Sequence, residues 1–87
     1  MIKAANYMEK RILTFEGIDD WNRPVFKDKL NNRFGNTEIL FDWGASEEEV
    51  LAVITEEHIQ YFGDSFGCEP MGTPVKPDRI LIQKKKP

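Results

Sequence analysis

The sequence predicts an α+β fold, in which a small antiparallel sheet of three to four strands packs against one amphipathic helix. In the first half of the chain, short runs of β-favouring residues alternate with Asp, Asn and Gly residues that favour turns. In the second half, a helix-capping signal precedes apolar residues at spacings of three and four. The 87 residues suffice for one domain. We place it at residues 9–83, between a loose N-terminal extension (1–8) and a basic C-terminal tail (84–87).

The first two strands are predicted on either side of a polar turn. Residues 11–18 are rich in β-favouring side chains, and their apolar residues fall on both sides, which indicates a central strand. Residues 19–22 contain two Asp and one Asn, whose side chains bond to nearby backbone amides in turns. Pro24 has no backbone N–H, so it suits the start of a second strand at residues 25–29.

The third strand is predicted at residues 37–43, after a turn at 31–32 and a break at 34–36. In this segment Ile39, Phe41 and Trp43 share one side and alternate with Glu38, Leu40 and Asp42. This alternation is typical of a half-buried antiparallel strand. The three strands together predict a meander over residues 11–43.

The helix is predicted to begin at Ser46, because Ser46 and Glu49 form a capping-box pattern ahead of an apolar run. Gly63 suits the end of this helix. Thr55 is an alternative start for a second short helix, and a strand at residues 58–62 is a further alternative. One helix is preferred because a single apolar stripe continues to its end: Val50, Leu51, Ile54, His58, Tyr61 and Phe62.

The rest of the chain is predicted to form a loop and one more strand. Residues 63–78 combine prolines and glycines without a sustained period, and residues 79–83 contain the run Ile-Leu-Ile. This last strand is expected to return beside an earlier one, and no internal repeat is recognised. The predicted core consists of Ile12, Leu13, Phe15, Val25, Phe26, Ile39, Phe41, Trp43, Val50, Leu51, Ile54, Phe62, Ile80 and Ile82.

Charge is strongly segregated along the chain. Nine Asp and Glu but no Lys or Arg lie between Phe34 and Val75, and all twelve basic residues flank that segment. A one-sign surface is unusual for a solvated helix and indicates a basic partner, or the domain's own basic hairpin folded against it. The main hypothesis is therefore a non-enzymatic protein-protein interaction module, whose acidic helix face meets a basic protein surface through Glu48, Glu49, Glu56 and Glu57.

Nucleic-acid binding is the alternative function. Basic residues on the second strand and its turns are interleaved with aromatic ones, and a lysine tail follows. A sequence pI of about 5.1 argues against this alternative. Its candidate residues are Arg23, Lys27, Lys29 and Arg33.

A small hydrolase is the remote alternative. Gly63–Gly67 matches G-x-S-x-G around Ser65, but the order of elements and the position of the single histidine, His58, do not fit a nucleophile elbow. Cys68 and His58 are too few ligands for a structural zinc. We therefore expect no catalytic, metal or cofactor site.

The cellular setting is also predicted from composition. One cysteine fits a reducing compartment, and neither a signal peptide nor a membrane-spanning run is recognised. These features predict a cytoplasmic protein without membrane association. We expect a monomer or a weak homodimer.

Overall fold

The computed structural model describes residues 10–63 and 72–85. Within these residues, one short helix, α1 (Glu47–Leu51), and a 3-10 turn at Pro77–Arg79 accompany a single sheet. The strands of the sheet lie in the spatial order β5-β4-β3-β2-β1-β6. Their bounds are β1 (Arg11–Ile18), β2 (Pro24–Lys27), β3 (Arg33–Asn36), β4 (Ile59–Gly63), β5 (Thr73–Pro74) and β6 (Ile80–Gln83). The predicted extension, residues 1–8, lies outside the described residues.

This architecture contradicts the predicted α+β fold of three to four antiparallel strands on one amphipathic helix. The sheet has six strands and curls into a half-barrel. It is mixed, because β6 pairs with β1 in parallel while the other neighbouring strands are antiparallel. Helix α1 has five residues, too few to cover a sheet face. The described part of the chain is therefore mostly sheet.

Strand β1 confirms the prediction of a central strand. It spans the predicted residues and lies between β2 and β6. Leu13 and Phe15 point into the core on one side, while Thr14 and Glu16 on the other side are half-buried. The pairing with β2 shifts register between Phe15 and Gly17, so Glu16 occupies a β-bulge.

The third strand was predicted at the wrong place. β3 occupies Arg33–Asn36, which includes the segment predicted as a break. At Gly35, an added Cβ would stand 2.5 Å from Phe62 Cε2 and 2.6 Å from the carbonyl oxygen of Pro24. The glycine is needed because the neighbouring strands leave no space for a side chain, and not because the chain turns there.

Residues 37–46 form the loop between β3 and α1. Of the three side chains predicted to share a buried strand face, Phe41 packs on the core, whereas Ile39 and Trp43 are exposed. The alternating pattern therefore belongs to a loop that inserts one aromatic anchor between exposed neighbours. A period of two does not distinguish this arrangement from a half-buried strand.

The helix begins as predicted but ends early. Ser46 Oγ accepts from the Glu49 backbone N–H at 3.2 Å, and the Ser46 backbone N–H donates to Glu49 Oε1 at 2.8 Å, which confirms the capping box. Three β-branched residues, 53–55, then disfavour helix. His58 has a φ of 63°, a conformation that interrupts an α-helix. The single long helix is wrong, and the alternative of a strand in this segment is confirmed by β4.

Two residues assigned to that helix have other positions. Gly63 is the last residue of β4, where its φ of 87° favours glycine, so it is not a helix cap. His58 is exposed in the turn before β4 and does not lie on an apolar stripe. Tyr61 lies on β4 with its ring 5.1 Å from that of Phe34.

One face of the sheet, which we call the inner face, carries the main core. Phe15 and Phe26 meet edge to face with ring centroids 5.8 Å apart. Ile12, Ile39 and Trp43 were predicted in the core but are exposed. The buried cluster consists of Leu13, Phe15, Ile18, Phe26, Phe34, Val50, Ile54, Ile59 and Ile80, of which Ile18, Phe34 and Ile59 were not predicted.

The opposite, outer face carries a smaller cluster. Val25 and Phe62 are buried but do not belong to the inner cluster. Phe62 covers Gly35 on β3, and the Arg23 guanidinium lies over the Phe62 ring with Cζ 4.1 Å from its centroid. An arginine stacked on an aromatic ring gains a favourable cation–π contact. The sheet is therefore covered on parts of both faces.

Candidate binding surfaces

Two five-residue loops of the same construction join β1 to β2 and β2 to β3. The first runs from Asp19 to Arg23 and the second from Asp28 to Asn32. In each loop an Asp stands first, and an Asn with positive φ stands fourth, at 62° and 67°. In each, Oδ1 of the Asp accepts from the backbone N–H groups of the third and fifth residues at 2.9 Å. This short repeat was not predicted from the sequence. Its signal was an Asp followed three residues later by an Asn, which occurs in both segments.

The first loop buries an ion pair between its first and last residues, while Asp20 and Trp21 between them are exposed. Asp19 Oδ2 accepts from Arg23 Nε at 2.8 Å and lies 2.7 Å from the terminal Nη2 of the same guanidinium. Asp19 is 0% exposed and Arg23 is 3% exposed. Arg23 was predicted to bind nucleic acid, but it forms a buried ion pair and does not reach the surface.

The second loop also buries its carboxylate, since Asp28 is 5% exposed, but pairs it with a residue of another strand. Asp28 Oδ2 lies 2.6 Å from Nη1 of Arg11, which reaches across from β1, and also accepts from Asn32 Nδ2 at 3.1 Å. Burial alone would raise the pKa of Asp28, but the bonds from Arg11, Asn32 and Leu30 outweigh it and lower that pKa to about 2. Asp28 is therefore ionised at neutral pH.

Several large apolar side chains are exposed in and near the first loop. Trp21, in the loop itself, is 50% exposed, and Leu40 and Trp43, in the loop after β3, are 57% and 67% exposed. The acidic side chains interleaved with them are exposed as well. We call this set the aromatic loop surface: Asp20, Trp21, Glu38, Ile39, Leu40, Asp42 and Trp43.

Hydrogen bonds hold the two parts of the aromatic loop surface together. Asn36 Oδ1 accepts from the backbone N–H groups of Glu38 and Ile39 at 2.7 and 2.8 Å. The backbone N–H of Phe41 donates to the Asn22 carbonyl at 2.8 Å, and Asn22 Nδ2 donates to the Phe41 carbonyl at 2.9 Å. Because Phe41 also packs on the core, the loop is fixed at both its start and its middle.

The acidic residues near α1 contact the C-terminal segment of the same chain. Glu56 Oε2 accepts from the Ile82 backbone N–H at 2.9 Å, and Glu47 Oε2 accepts from the Lys85 backbone N–H at 2.7 Å. These carboxylates satisfy donors along the outer edge of β6, which would otherwise be open to pairing with another chain. The strand predicted at the C-terminus is thus confirmed, and its edge is protected by side chains from the acidic segment.

The four residues of the predicted acidic helix face have different environments. Glu49 belongs to the capping box, and Glu56 bonds to β6. Glu48 Oε2 lies 3.9 Å from Lys84 Nζ, an exposed pair that contributes little to stability. Glu57 is exposed in the turn before β4. The acidic helix face is therefore smaller than predicted, because part of it already has partners within the chain.

The remaining predicted basic residues lie near the second loop. Lys27 and Arg33 are cross-strand neighbours on β2 and β3, and Lys29 lies in the loop itself. Arg33 donates from Nε and Nη2 to both carboxylate oxygens of Glu16 at 2.8 and 2.7 Å, which lowers the pKa of Glu16. An open cleft of about 780 Å³ adjoins them and is lined by Lys10, Arg11, Ile12, Thr14, Lys27, Asp28, Lys29, Leu30 and Asn31.

The residues of the hydrolase alternative do not form a described site. Ser65 and Cys68 lie outside the described residues. His58 is exposed, with Nδ1 3.7 Å from Glu38 Oε2. Across residues 10–63 and 72–85, no three His, Cys, Asp or Glu side chains are grouped so that they could hold a metal ion. In the same residues, no helix is long and apolar enough to cross a membrane.

Comparison with known proteins gives no match for this chain at the level of a family model, a curated protein or a solved structure. Function is therefore inferred from the geometry and chemistry of the surfaces described above.

Proposed function

We propose that this chain is a non-enzymatic interaction module that binds a basic segment of a partner protein through the aromatic loop surface. The observation that carries this proposal is the combination of two exposed tryptophans with three acidic side chains on two loops that hydrogen bonds join. Tryptophan is the residue type most enriched where binding energy concentrates in protein interfaces.

The support beneath the surface favours binding without a large ordering cost. The loop is fixed by Asn36, by the paired bonds between Asn22 and Phe41, and by insertion of Phe41 into the core. Side chains that are already held in place lose less conformational freedom when a partner binds. Trp21 and Trp43 are also stiff, with two side-chain torsions each, and each can bury about 150–250 Å².

The charge of the surface favours a basic occupant. Asp20, Glu38 and Asp42 are interleaved with the apolar residues and are all exposed. Lysine or arginine on the partner can pair with these carboxylates and stack on the indole rings. A second copy of the chain would instead bring like charges together, so a homodimer through this surface is disfavoured.

The predicted site on the acidic helix face stays a prediction, but the aromatic loop surface is preferred for two reasons. Glu49 and Glu56 are engaged in the capping box and on the edge of β6, so a partner would compete with bonds that stabilise the fold. The helix face also lacks exposed aromatic side chains among the described residues 47–57, whereas interfaces concentrate their affinity in such residues.

The chain itself supplies a specific reporter for this proposal. It has two tryptophans, Trp21 and Trp43, and both belong to the proposed surface. Random peptides displayed on phage are selected on the full chain, and enriched peptides are titrated while tryptophan emission is followed. We expect enrichment of sequences that combine Lys or Arg with apolar residues, together with a shift of the emission maximum on binding.

Matched variants separate this surface from non-specific binding. Trp43→Ala should weaken a selected peptide by about tenfold or more, in the range of an interface hot spot. Val53→Ala, an exposed apolar residue outside the surface, should leave binding unchanged. Selection without basic residues, or equal losses in both variants, would contradict the proposal. A loss in Glu48→Gln with none in Trp43→Ala would return the site to the helix face.

A further inference from the structure

A basic cleft lies away from the aromatic loop surface, between the start of β1 and the second loop. Among the described residues, four basic side chains and one carboxylate line it, and their charges sum to +3. The carboxylate is Asp28, which bonds to Arg11 and to the loop that contains it. The Asp28 carboxylate is therefore buried and paired, whereas Lys29 is exposed and Lys10 and Lys27 are half-exposed.

A row of polar and basic side chains continues from the cleft across the outer face of the sheet. Register places Arg33 beside Lys27, Lys27 beside Thr14, and Thr14 beside Gln83 of β6. Four adjacent strands span about 14 Å at their usual spacing. Arg33, at one end of this row, is paired with Glu16. Lys27 therefore supplies the positive charge that continues from the cleft, and Thr14 and Gln83 extend the row with uncharged polar side chains.

The rim of the cleft also carries apolar side chains. Ile12 is 41% exposed on β1, and Leu30 is 71% exposed at the tip of the second loop. Both line the cleft together with Lys27 and Lys29. A ligand that fits has negative charges in series and apolar surface beside them. Unpaired nucleobases offer such a surface, whereas a duplex hides the faces of its bases.

We propose that the cleft and the row beside it bind the phosphates of a single-stranded nucleic acid without sequence preference. Lys27 and Lys29, with Lys10 at the start of β1, neutralise successive phosphates, and Thr14 donates a hydrogen bond to the chain between them. Ile12 and Leu30 contact sugars and bases. The site is separate from the aromatic loop surface, so the two proposals stand or fall independently.

The experiment uses the full chain and a fluorescein-labelled oligothymidylate of about 20 nucleotides, followed by fluorescence anisotropy. Neutralising three phosphates of a single strand predicts a slope of about −2 in a plot of log affinity against log salt. Affinity should then fall about 20-fold between roughly 50 and 200 mM salt. The double variant Lys27→Gln, Lys29→Gln should weaken binding about tenfold or more and bring the slope to about −0.7.

The control is Lys76→Gln, Lys84→Gln, which removes the same charge from exposed positions outside the cleft and should change affinity less than about twofold. Circular dichroism melts check that both double variants stay folded. Absence of binding at low salt, or an equal loss in the control, would overturn the proposal. Two further results would overturn the proposal. One is tighter binding of a duplex than of the single strand. The other is displacement of the oligothymidylate by inorganic tripolyphosphate at equal total charge, which would indicate a small phosphate ligand.

Discussion

The first and second loops of the sheet have the same backbone construction, but their buried carboxylates pair with different arginines. Both begin with an Asp whose Oδ1 holds two backbone N–H groups, and both place Asn fourth with positive φ. In the first, the residue at the fifth position is Arg23, which closes on Asp19 and lies over Phe62. In the second, it is Asn32, which leaves Asp28 able to bond to Arg11 from β1.

This difference separates what local sequence determines from what tertiary contact determines. Asp and Asn at a spacing of three specify the turn in both places. The fifth residue and the strand packed against the loop decide whether the buried carboxylate pairs within its own loop or with Arg11 of β1, beside the open cleft. The turn of the first loop therefore supports the aromatic loop surface, whereas the same turn in the second loop forms the rim of the basic cleft.

Asp19→Ala should give the largest loss of stability. The substitution removes the carboxylate that neutralises Arg23 in a 3% exposed position and the acceptor for two backbone N–H groups. Breaking a buried ion pair from one side typically costs about 3–5 kcal/mol. The free energy of unfolding is measured by urea denaturation of the full chain, followed by circular dichroism.

Asp20→Ala is the control, because this neighbour is exposed and should change stability by less than about 0.5 kcal/mol. The double change Asp19→Asn, Arg23→Met tests the cause, since removing both charges should cost less than Asp19→Ala alone. If Asp19→Ala and Asp20→Ala were equally mild, the ion pair would not anchor the loop.

Gly35→Ala tests how tightly the outer cluster beside the first loop is packed. A methyl group would meet Phe62 Cε2 at 2.5 Å and the Pro24 carbonyl oxygen at 2.6 Å. Phe62 cannot yield freely because Arg23 lies over its ring, so we expect a loss of about 2–3 kcal/mol by thermal and chemical denaturation. Gly44→Ala is the matched control, because nothing lies within 4 Å of its added Cβ. Equal stability of the two variants would mean that the cluster is loosely packed.

Asp28→Asn tests the second loop through pH. The folded pKa of Asp28, about 2, lies below the ordinary aspartate value of 3.8. Ionised Asp28 therefore stabilises the fold above pH 4, and this contribution disappears as pH falls through the folded pKa. Its size at neutral pH is about 2 kcal/mol. Urea denaturation at several pH values should show a gap between the wild type and Asp28→Asn that closes between about pH 4 and 2. If the difference in unfolding free energy between the two proteins did not change with pH, the effect would come from the shape of the Asp28 side chain and not from its charge.

Local signals in the sequence predicted the elements that depend on local chemistry. β1, the start of β2 at Pro24 and the capping box at Ser46 follow from strand propensity, a missing donor and paired side-chain bonds. Their partners lie nearby in the chain, so spacing alone was sufficient. The final strand was also found, but its parallel pairing with β1 was not, because register across the whole chain leaves no local pattern.

Tertiary contacts decided the elements that the sequence did not predict. Gly35 resembles a turn residue in the sequence, and only the ring of Phe62 above it shows why a strand needs glycine there. Residues 59–62 fit a helical stripe as well as a strand, and His58 with positive φ selects the strand. The alternation of apolar and acidic residues at 37–43 comes from a loop in which Phe41 packs on the core and its apolar neighbours are exposed.

The candidate surfaces were predicted in part. The acidic segment was recognised as lacking lysines, and the structure accounts for some of it, since Glu47 and Glu56 bond to the C-terminal segment. Lys27 and Lys29 were identified from sequence and do lie together at the cleft. The aromatic loop surface was missed, because Trp43 was assigned to the core on the basis of its period alone.

Replacing each Asn of positive φ by Gly compares the two loops at their shared position and should have the smallest effect. Gly accepts positive φ without strain, so Asn31→Gly should stay within about 0.5 kcal/mol of the wild type. Asn22→Gly keeps the backbone angle but removes the Nδ2 bond to the Phe41 carbonyl at 2.9 Å, which contributes about 1 kcal/mol. Both free energies are measured by urea denaturation.

Tryptophan emission distinguishes a local effect from a global one in the same pair. The Asn22 side chain joins the first loop to the loop after β3. Trp21 belongs to the first of these loops and Trp43 to the second, and both are exposed. Asn22→Gly should therefore make both tryptophans more accessible to acrylamide in the folded protein, while Asn31→Gly leaves quenching unchanged. Equal quenching in both variants would show that Phe41 in the core is sufficient to hold the aromatic loop surface without the Asn22 side chain.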